Sequence, residues 1–296
     1  MRVRPLEIVN AIALGITSVL LLLLFRRLAD PGALLVRYAL LAAGIAAVVA
    51  ITWRRAPLPA PVAFAADFYP AAFLPFYFNT LGPLIQALRG EARDDLLIAA
   101  DRALFGVDVT VWLERFVSPA RNDFFFIAYT SYYFISLTLG VYLWVRSRET
   151  ARRFIFTLAV SYFVSYAGYF AVPALGPRYA LAELQTISIT ESSISATISR
   201  TIDALERTKL DVFPSGHTMI AVVVLLVAWR RARTLFWWLL PVAICLIAST
   251  VWCRYHYVVD LLVGAALAFV TVPLGDRLYD WMLRREAPAG HGARVV

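Results

Sequence analysis

Charge, cysteine and histidine are all scarce in this chain of 296 residues: charged side chains make up 16%, with two cysteines and three histidines. With 61% hydrophobic residues and a mean hydropathy of +0.71, the composition excludes an ordinary soluble domain and implies a polytopic membrane protein. Cys245 and Cys253 fall about 12 Å apart if they share a helix, too far to bridge, so no structural disulfide is expected. No internal repeat, low-complexity tract or linker interrupts the chain, which argues for one membrane domain. The net charge of +8 comes from arginines that mostly flank apolar segments. That placement suits lipid headgroups and topology, and no nucleic-acid partner is expected.

Apolar runs long enough to span a bilayer lie near 6–25, 34–53, 124–145, 154–173, 215–229 with its flanks, 235–252 and 256–275. The stretch from Pro57 to Leu88 is a weaker eighth, interrupted by Asp67, Asn79 and several prolines, and is read as one spanning helix with a broken entry. The fold class is therefore all-α, with about eight transmembrane helices. The first segment is long, ends in Arg26-Arg27 and lacks a small-residue cleavage pattern, so it reads as a retained anchor, not a signal peptide. Residues 1–56 are assigned to two N-terminal anchor helices, 57–276 to the membrane domain carrying the chemistry, and 277–296 to a cytoplasmic tail.

Two inserts separate these runs. From Arg89 to Arg121 an amphipathic pattern near helical spacing, broken at Gly106, predicts one or two short helices along the membrane surface. Pro173 to Phe213 becomes rich in Ser, Thr and Ile and reads as a lid or partly ordered loop. In an eight-helix arrangement the N-terminus, Arg54-Arg55, Arg146 to Arg153, Arg230 to Arg233 and the C-terminal tail share one side, cytoplasmic by the positive-inside rule. Arg26-Arg27 breaks this pattern. Both inserts and both histidine clusters then face a periplasm or exterior, as expected for a bacterial inner or plasma membrane protein.

The clusters are Phe213-Pro-Ser-Gly-His-Thr218 and Cys253-Arg-Tyr-His-Tyr-Val-Val-Asp260, each where an apolar run begins. His256 and Asp260 are four residues apart, so on a helix the carboxylate can orient the imidazole and leave its other nitrogen free to attack phosphorus. An ionisable pair in a membrane helix is costly without a task. Ser215 and Gly216 open a helix whose amides can cradle phosphate, with His217 as general acid and then base. Arg178 and Arg254 offer planar donor forks to the transferring group, although Arg254 can also snorkel and Arg178 can end a helix. Asp211, six residues before His217, is a candidate orienting group, and Tyr179 lies beside Arg178. No metal-ligand cluster is assigned.

These clusters resemble the second and third signature motifs of the type 2 phosphatidic acid phosphatase superfamily, over roughly Phe124 to Leu274, most specifically at Pro214-Ser215-Gly216-His217. The resemblance implies a six-helix core, metal-independent catalysis without a cofactor, His256 as nucleophile, Asp260 as its partner and His217 as acid. Ala171 stands where phosphatases of the family usually carry lysine, and Ser249-Thr250 where they carry Ser-Arg, with Arg254 two residues before His256. The Asp211 to His217 spacing is similar to that of sphingomyelin synthases, and the run Ala174-Leu-Gly-Pro-Arg178 to the branch containing inositol phosphorylceramide synthases. The expected activity is transfer of a phosphoryl group from a membrane lipid phosphate to water or an alcohol acceptor. Headgroup transfer from a phosphodiester lipid is the alternative, and a non-catalytic lipid binder or transporter the reading from another class. Sequence leaves the lipid, the acceptor and the oligomeric state open.

Overall fold

The computed structural model describes residues 3–53 and 57–286, so Arg54, Arg55 and the final stretch 287–296 lie outside the described residues. Among the described residues the secondary structure is helical, with no strand. The protein is an all-α polytopic membrane protein. Helix starts follow local chemistry. α1 (Pro5–Leu23) and α2 (Pro31–Thr52) both begin on a proline, whose missing N–H costs nothing there, and Asp30 caps α2 by accepting from the Ala33 amide at 2.9 Å.

The 57–88 stretch differs from the single span expected. It forms α3 (Ala60–Phe68), α4 (Pro70–Phe78) and α5 (Leu81–Arg89), broken before Pro70 and at Asn79-Thr80. Both breaks have a physical reason. Asp67, at the foot of this stretch, is fully buried and accepts from Arg4 at 2.7 Å, Arg152 at 2.9 Å and the Trp144 indole at 3.1 Å, with Arg148 closing the cluster. At the other break Asn79 donates to the Leu205 carbonyl at 3.0 Å and accepts from the Arg207 amide at 2.9 Å. The interruptions therefore tie two remote segments together.

The Arg89 to Arg121 insert folds as α6 (Asp94–Phe105) and α7 (Val109–Trp112), with Gly106 at φ 73° ending α6. α8 (Pro119–Thr130) and α9 (Tyr132–Arg146) follow as one path bent by 40°. α10 (Arg148–Ala171) returns across the bundle, its 24 residues giving about 36 Å, more than a hydrocarbon core. The second insert is more ordered than a loop: it holds α11 (Pro177–Ala180) and α12 (Ser193–Leu205), and α12 packs on α8. α13 (Gly216–Arg231), α14 (Arg233–Trp252) and α15 (Val258–Glu286) complete the chain, so residues 277–286 of the expected tail continue α15.

Among the described residues five helices, α1, α2, α10, α14 and α15, are long and apolar enough to cross a membrane, and the bent α8–α9 pair makes a sixth if it counts as one span. α13 has 16 residues and lies at the centre, packed against α15, α14, α10 and α9. Its buried Met219, Ile220, Val223 and Val224 join Leu139, Phe154, Phe156 and Val272 in the main core. Two opposite ends result. Arg4, Arg148, Arg152, Arg153 and Arg230 meet Asp67, Asp276 and Asp280 at one end, while His217 and His256 lie at the other.

Candidate active site

Backbone hydrogen bonds stitch together three chain segments that are remote in sequence. The Arg178 amide donates to the Arg254 carbonyl at 3.0 Å, the Ser215 amide to the Asp260 carbonyl at 3.1 Å, and the Tyr255 and His256 amides to the Thr250 carbonyl at 3.0 and 3.1 Å. Gly176 has φ 89°, and a Cβ there would lie 2.7 Å from the Tyr255 carbonyl oxygen. Only glycine admits both the conformation and the approach. Ser215 caps α13 by accepting from the Thr218 amide at 3.3 Å. A Cβ on Gly216 would come within 2.7 Å of the Tyr169 hydroxyl, so its smallness also serves packing against α10.

His217, His256 and Asp260 form a buried line. Tyr129 Oη lies 2.7 Å from His217 Nε2, His217 Nδ1 lies 3.3 Å from His256 Nε2, and His256 Nδ1 lies 3.4 Å from Asp260 Oδ2. One proton arrangement fits the three contacts: Tyr129 donates to His217, His217 donates to His256, and the His256 Nδ1 proton faces Asp260 without a hydrogen bond. Asp260 Oδ2 also accepts the Tyr257 amide at 2.9 Å, fixing the carboxylate at the first turn of α15. In this arrangement the His256 Nε2 lone pair is covered by the His217 proton. An attack on phosphorus requires the two rings to part.

A narrow cleft opens over the two histidines, lined by Tyr129, Arg178, Glu206, Lys209, Asp211 and Tyr255 among others. Arg178 stacks over Tyr255 at 4.6 Å, and Arg178 and Lys209 share Asp203 at 2.9 and 2.8 Å. Lys209 is the sole lysine of the chain. Arg254 stands elsewhere. Its backbone takes φ 63° and its guanidinium reaches Glu114 at 2.9 Å, the Ile187 carbonyl at 2.7 Å and Gln185 at 3.3 Å, away from the cavity. In place of the expected phosphate contact, an ion pair and hydrogen bonds tie Glu114 and the 185–187 segment to the loop that carries His256. Tyr179 is 46% exposed and stacks on Arg178 outside the cavity lining.

Sequence reading missed Tyr129, Glu206, Lys209 and Tyr255. Tyr129 opens the aromatic-rich run Tyr129 to Tyr133, of the kind found at headgroup level, yet it is fully buried against His217. Glu206 accepts from the Tyr133 hydroxyl at 2.7 Å and lies 3.9 Å from His217 Nε2. Burial and the neighbouring Asp211 push the Glu206 carboxyl up to about 7, and burial raises Asp211 to about 6, opposed by the charge of His256. Both acids also border a second, larger cavity, which runs between α4, α9 and α10 past Phe68, Phe76, Leu137, Ile155 and Tyr162. Among the described residues no group of three or more His, Cys, Asp or Glu is placed to hold a metal ion.

An all-α membrane bundle with two touching histidines at one end, a carboxylate behind one and two cations before them, defines the class. The family model of the PAP2 superfamily matches residues 95–274, more than half of the chain, and the chain belongs to that superfamily. Membership brings phosphatase or phosphotransferase chemistry in general. No curated protein and no solved structure matches the chain.

Proposed function

We propose that the protein is an integral-membrane enzyme that moves a phosphoryl group from a lipid phosphate through a phosphohistidine at His256. The observation that carries this reading is the line Tyr129, His217, His256, Asp260 beneath a cavity edged by Arg178 and Lys209. Phosphate enters under the two cations and displaces the His217 proton from His256. His256 Nε2 then bonds to phosphorus and the phosphorus–oxygen bond to the lipid breaks, while His217, which takes up a second proton as the monoanionic phosphate enters, gives that proton to the leaving alkoxide and returns to its neutral form. In the second half His217 takes the proton of water or an alcohol, whose oxygen bonds to phosphorus as the phosphorus–nitrogen bond breaks. Asp260 stabilises the charge on His256 throughout. No step calls on a metal. The Gly216 amide at the start of α13 is a further donor, the Ser215 amide being taken up by the Asp260 carbonyl. With the arginine-rich end read as cytoplasmic, the site faces the periplasm or exterior of a bacterial membrane.

Transfer to an alcohol is supported by a specific feature. Glu206 and Asp211 stand where the phosphate cavity meets the long apolar one. Two carboxyls repel a second anion but accept hydrogen bonds from a neutral lipid hydroxyl, the acceptor that a headgroup transferase of the inositol phosphorylceramide or sphingomyelin synthase kind requires.

The experiment is phosphate release from lipid mono- and diphosphates by the purified protein under chelator, with His256→Ala as control. Release that survives chelation and vanishes in the variant supports hydrolysis. Product formed only when a lipid alcohol is added supports transfer, and activity retained in His256→Ala rejects the mechanism.

A further inference from the structure

α6 is built inside out. Asp94, Leu97 and Asp101 are buried, while Leu96, Leu104 and Phe105 are exposed. In water such a helix would be penalised twice, by carboxylates that lose hydration and by apolar side chains that keep it. The inward penalty is offset by donors. Asp94 accepts the Leu175 and Gly176 amides at 2.9 and 2.8 Å and the Tyr257 hydroxyl at 2.9 Å, and Asp101 accepts the Val258 and Val259 amides at 3.0 and 2.8 Å.

These donors belong to the two stretches that frame the phosphate cavity: the turn leading into Arg178, and the first turn of α15 directly after His256. The free amides at the start of α15 are themselves an anion site. With Asp101 occupying them, an incoming phosphate is left to Arg178, Lys209 and His256. The outward edge of α6 continues through Val107, Trp112 and Phe116, also exposed, with Arg93 and Arg102 exposed nearby and Arg115 stacked over Trp112 at 4.6 Å. Apolar side chains edged by arginine match the boundary between acyl chains and anionic headgroups. α6 packs on α15, itself long enough to span, so this edge is continuous with the membrane-embedded surface.

We propose that α6 is a bracket seated in the membrane interface, in which Asp94 and Asp101 are positioning residues that hold the Arg178 and His256 loops at fixed separation. The proposal rests on reading the site as a phosphoryl-transfer centre.

Full-length wild type, Asp94→Asn, Asp101→Asn and Asp101→Glu are reconstituted in phosphatidylcholine–phosphatidylglycerol vesicles. Lipid phosphate turnover and the His256 ring resonance, from ring-labelled histidine, are recorded on the same samples. The Asn variants are expected to lose at least tenfold in kcat with KM within twofold and to show a displaced His256 resonance, while Asp101→Glu recovers part of kcat. Unchanged kcat and resonance in both Asn variants overturn the bracket. Should the Asn variants not fold, Asp101→Glu decides by the same resonance, since its longer arm must shift the loop. An inactive wild type rejects the phosphoryl-transfer reading, and the resonance still decides the bracket. A spin label at Leu104→Cys, in a Cys245→Ser background, is expected to collide more with oxygen than with a nickel chelate. The reverse order removes α6 from the membrane.

Discussion

Tyr129 Oη lies 2.7 Å from His217 Nε2, and this one contact fixes which nitrogen of His217 faces His256. With the phenol as donor, the proton of His217 sits on Nδ1, 3.3 Å from His256 Nε2. The phenol is fully buried and its ring stacks obliquely on that of His217, with centroids 4.8 Å apart, so packing and hydrogen bonding act together.

Tyr129→Phe keeps the packing and removes the hydroxyl. The expected outcome is a fall in kcat of about tenfold with little change in KM, because the loss falls on proton transfer and not on lipid binding. Steady-state kinetics with thermal melting as a control check this, and an unchanged kcat contradicts the tautomer assignment.

Arg178→Ala and Arg254→Ala separate the two arginines. Arg178 borders the phosphate cavity, so its loss raises KM for the lipid phosphate. Arg254 is buried in an ion pair with Glu114, and removing one partner of a buried pair costs about 3 kcal/mol of stability. A large drop in Tm with KM nearly unchanged is therefore expected for Arg254→Ala, and the opposite pattern for Arg178→Ala.

Glu206 supplies a pH signature. Its folded-state pKa of about 7 exceeds the ordinary value near 4.5, so its contribution to stability is fully present below about pH 4.5 and is lost as pH rises through about 7. Asp211 acts in the same direction with its value near 6. Glu206→Gln should flatten the decline of Tm between pH 5 and 8, measured in a detergent of constant composition. A decline identical to wild type would exclude a raised carboxyl at this position.

Gly216→Ala tests the packing of α13 on α10. The added methyl would meet the Tyr169 hydroxyl at 2.7 Å and Ser165 Oγ at 3.1 Å, where those two groups share a hydrogen bond of 2.9 Å. Overpacking of this kind costs about 1–3 kcal/mol. Lower Tm together with reduced turnover is expected, since the displaced helix start carries His217.

His217, His256 and Asp260 were legible because their chemistry is local: an i, i+4 pair and a Ser-Gly-His helix start carry their meaning within a few residues. Arg254 was not, because its partner Glu114 is 140 residues away and nothing near Arg254 announces it. Tyr129 reaches His217 across 88 positions and reads locally as one more interfacial aromatic. Glu206 lies in a polar stretch that resembles a loop, and its place follows from Asn79, which holds the Leu205 and Arg207 backbone across more than 120 positions. The same asparagine was visible only as a defect in an apolar run. Polar residues inside apolar segments thus showed where the chain departs from a simple span, while the partners that explain them came from tertiary structure.

The proposed mechanism turns on His256 carrying the phosphoryl group. Rapid quenching of the wild-type protein into alkali during lipid phosphate turnover, followed by peptide mass spectrometry, tests it directly. The account predicts phosphate on the peptide containing His256 and none in His256→Ala. Turnover that proceeds with no phosphate ever found on His256 would contradict it.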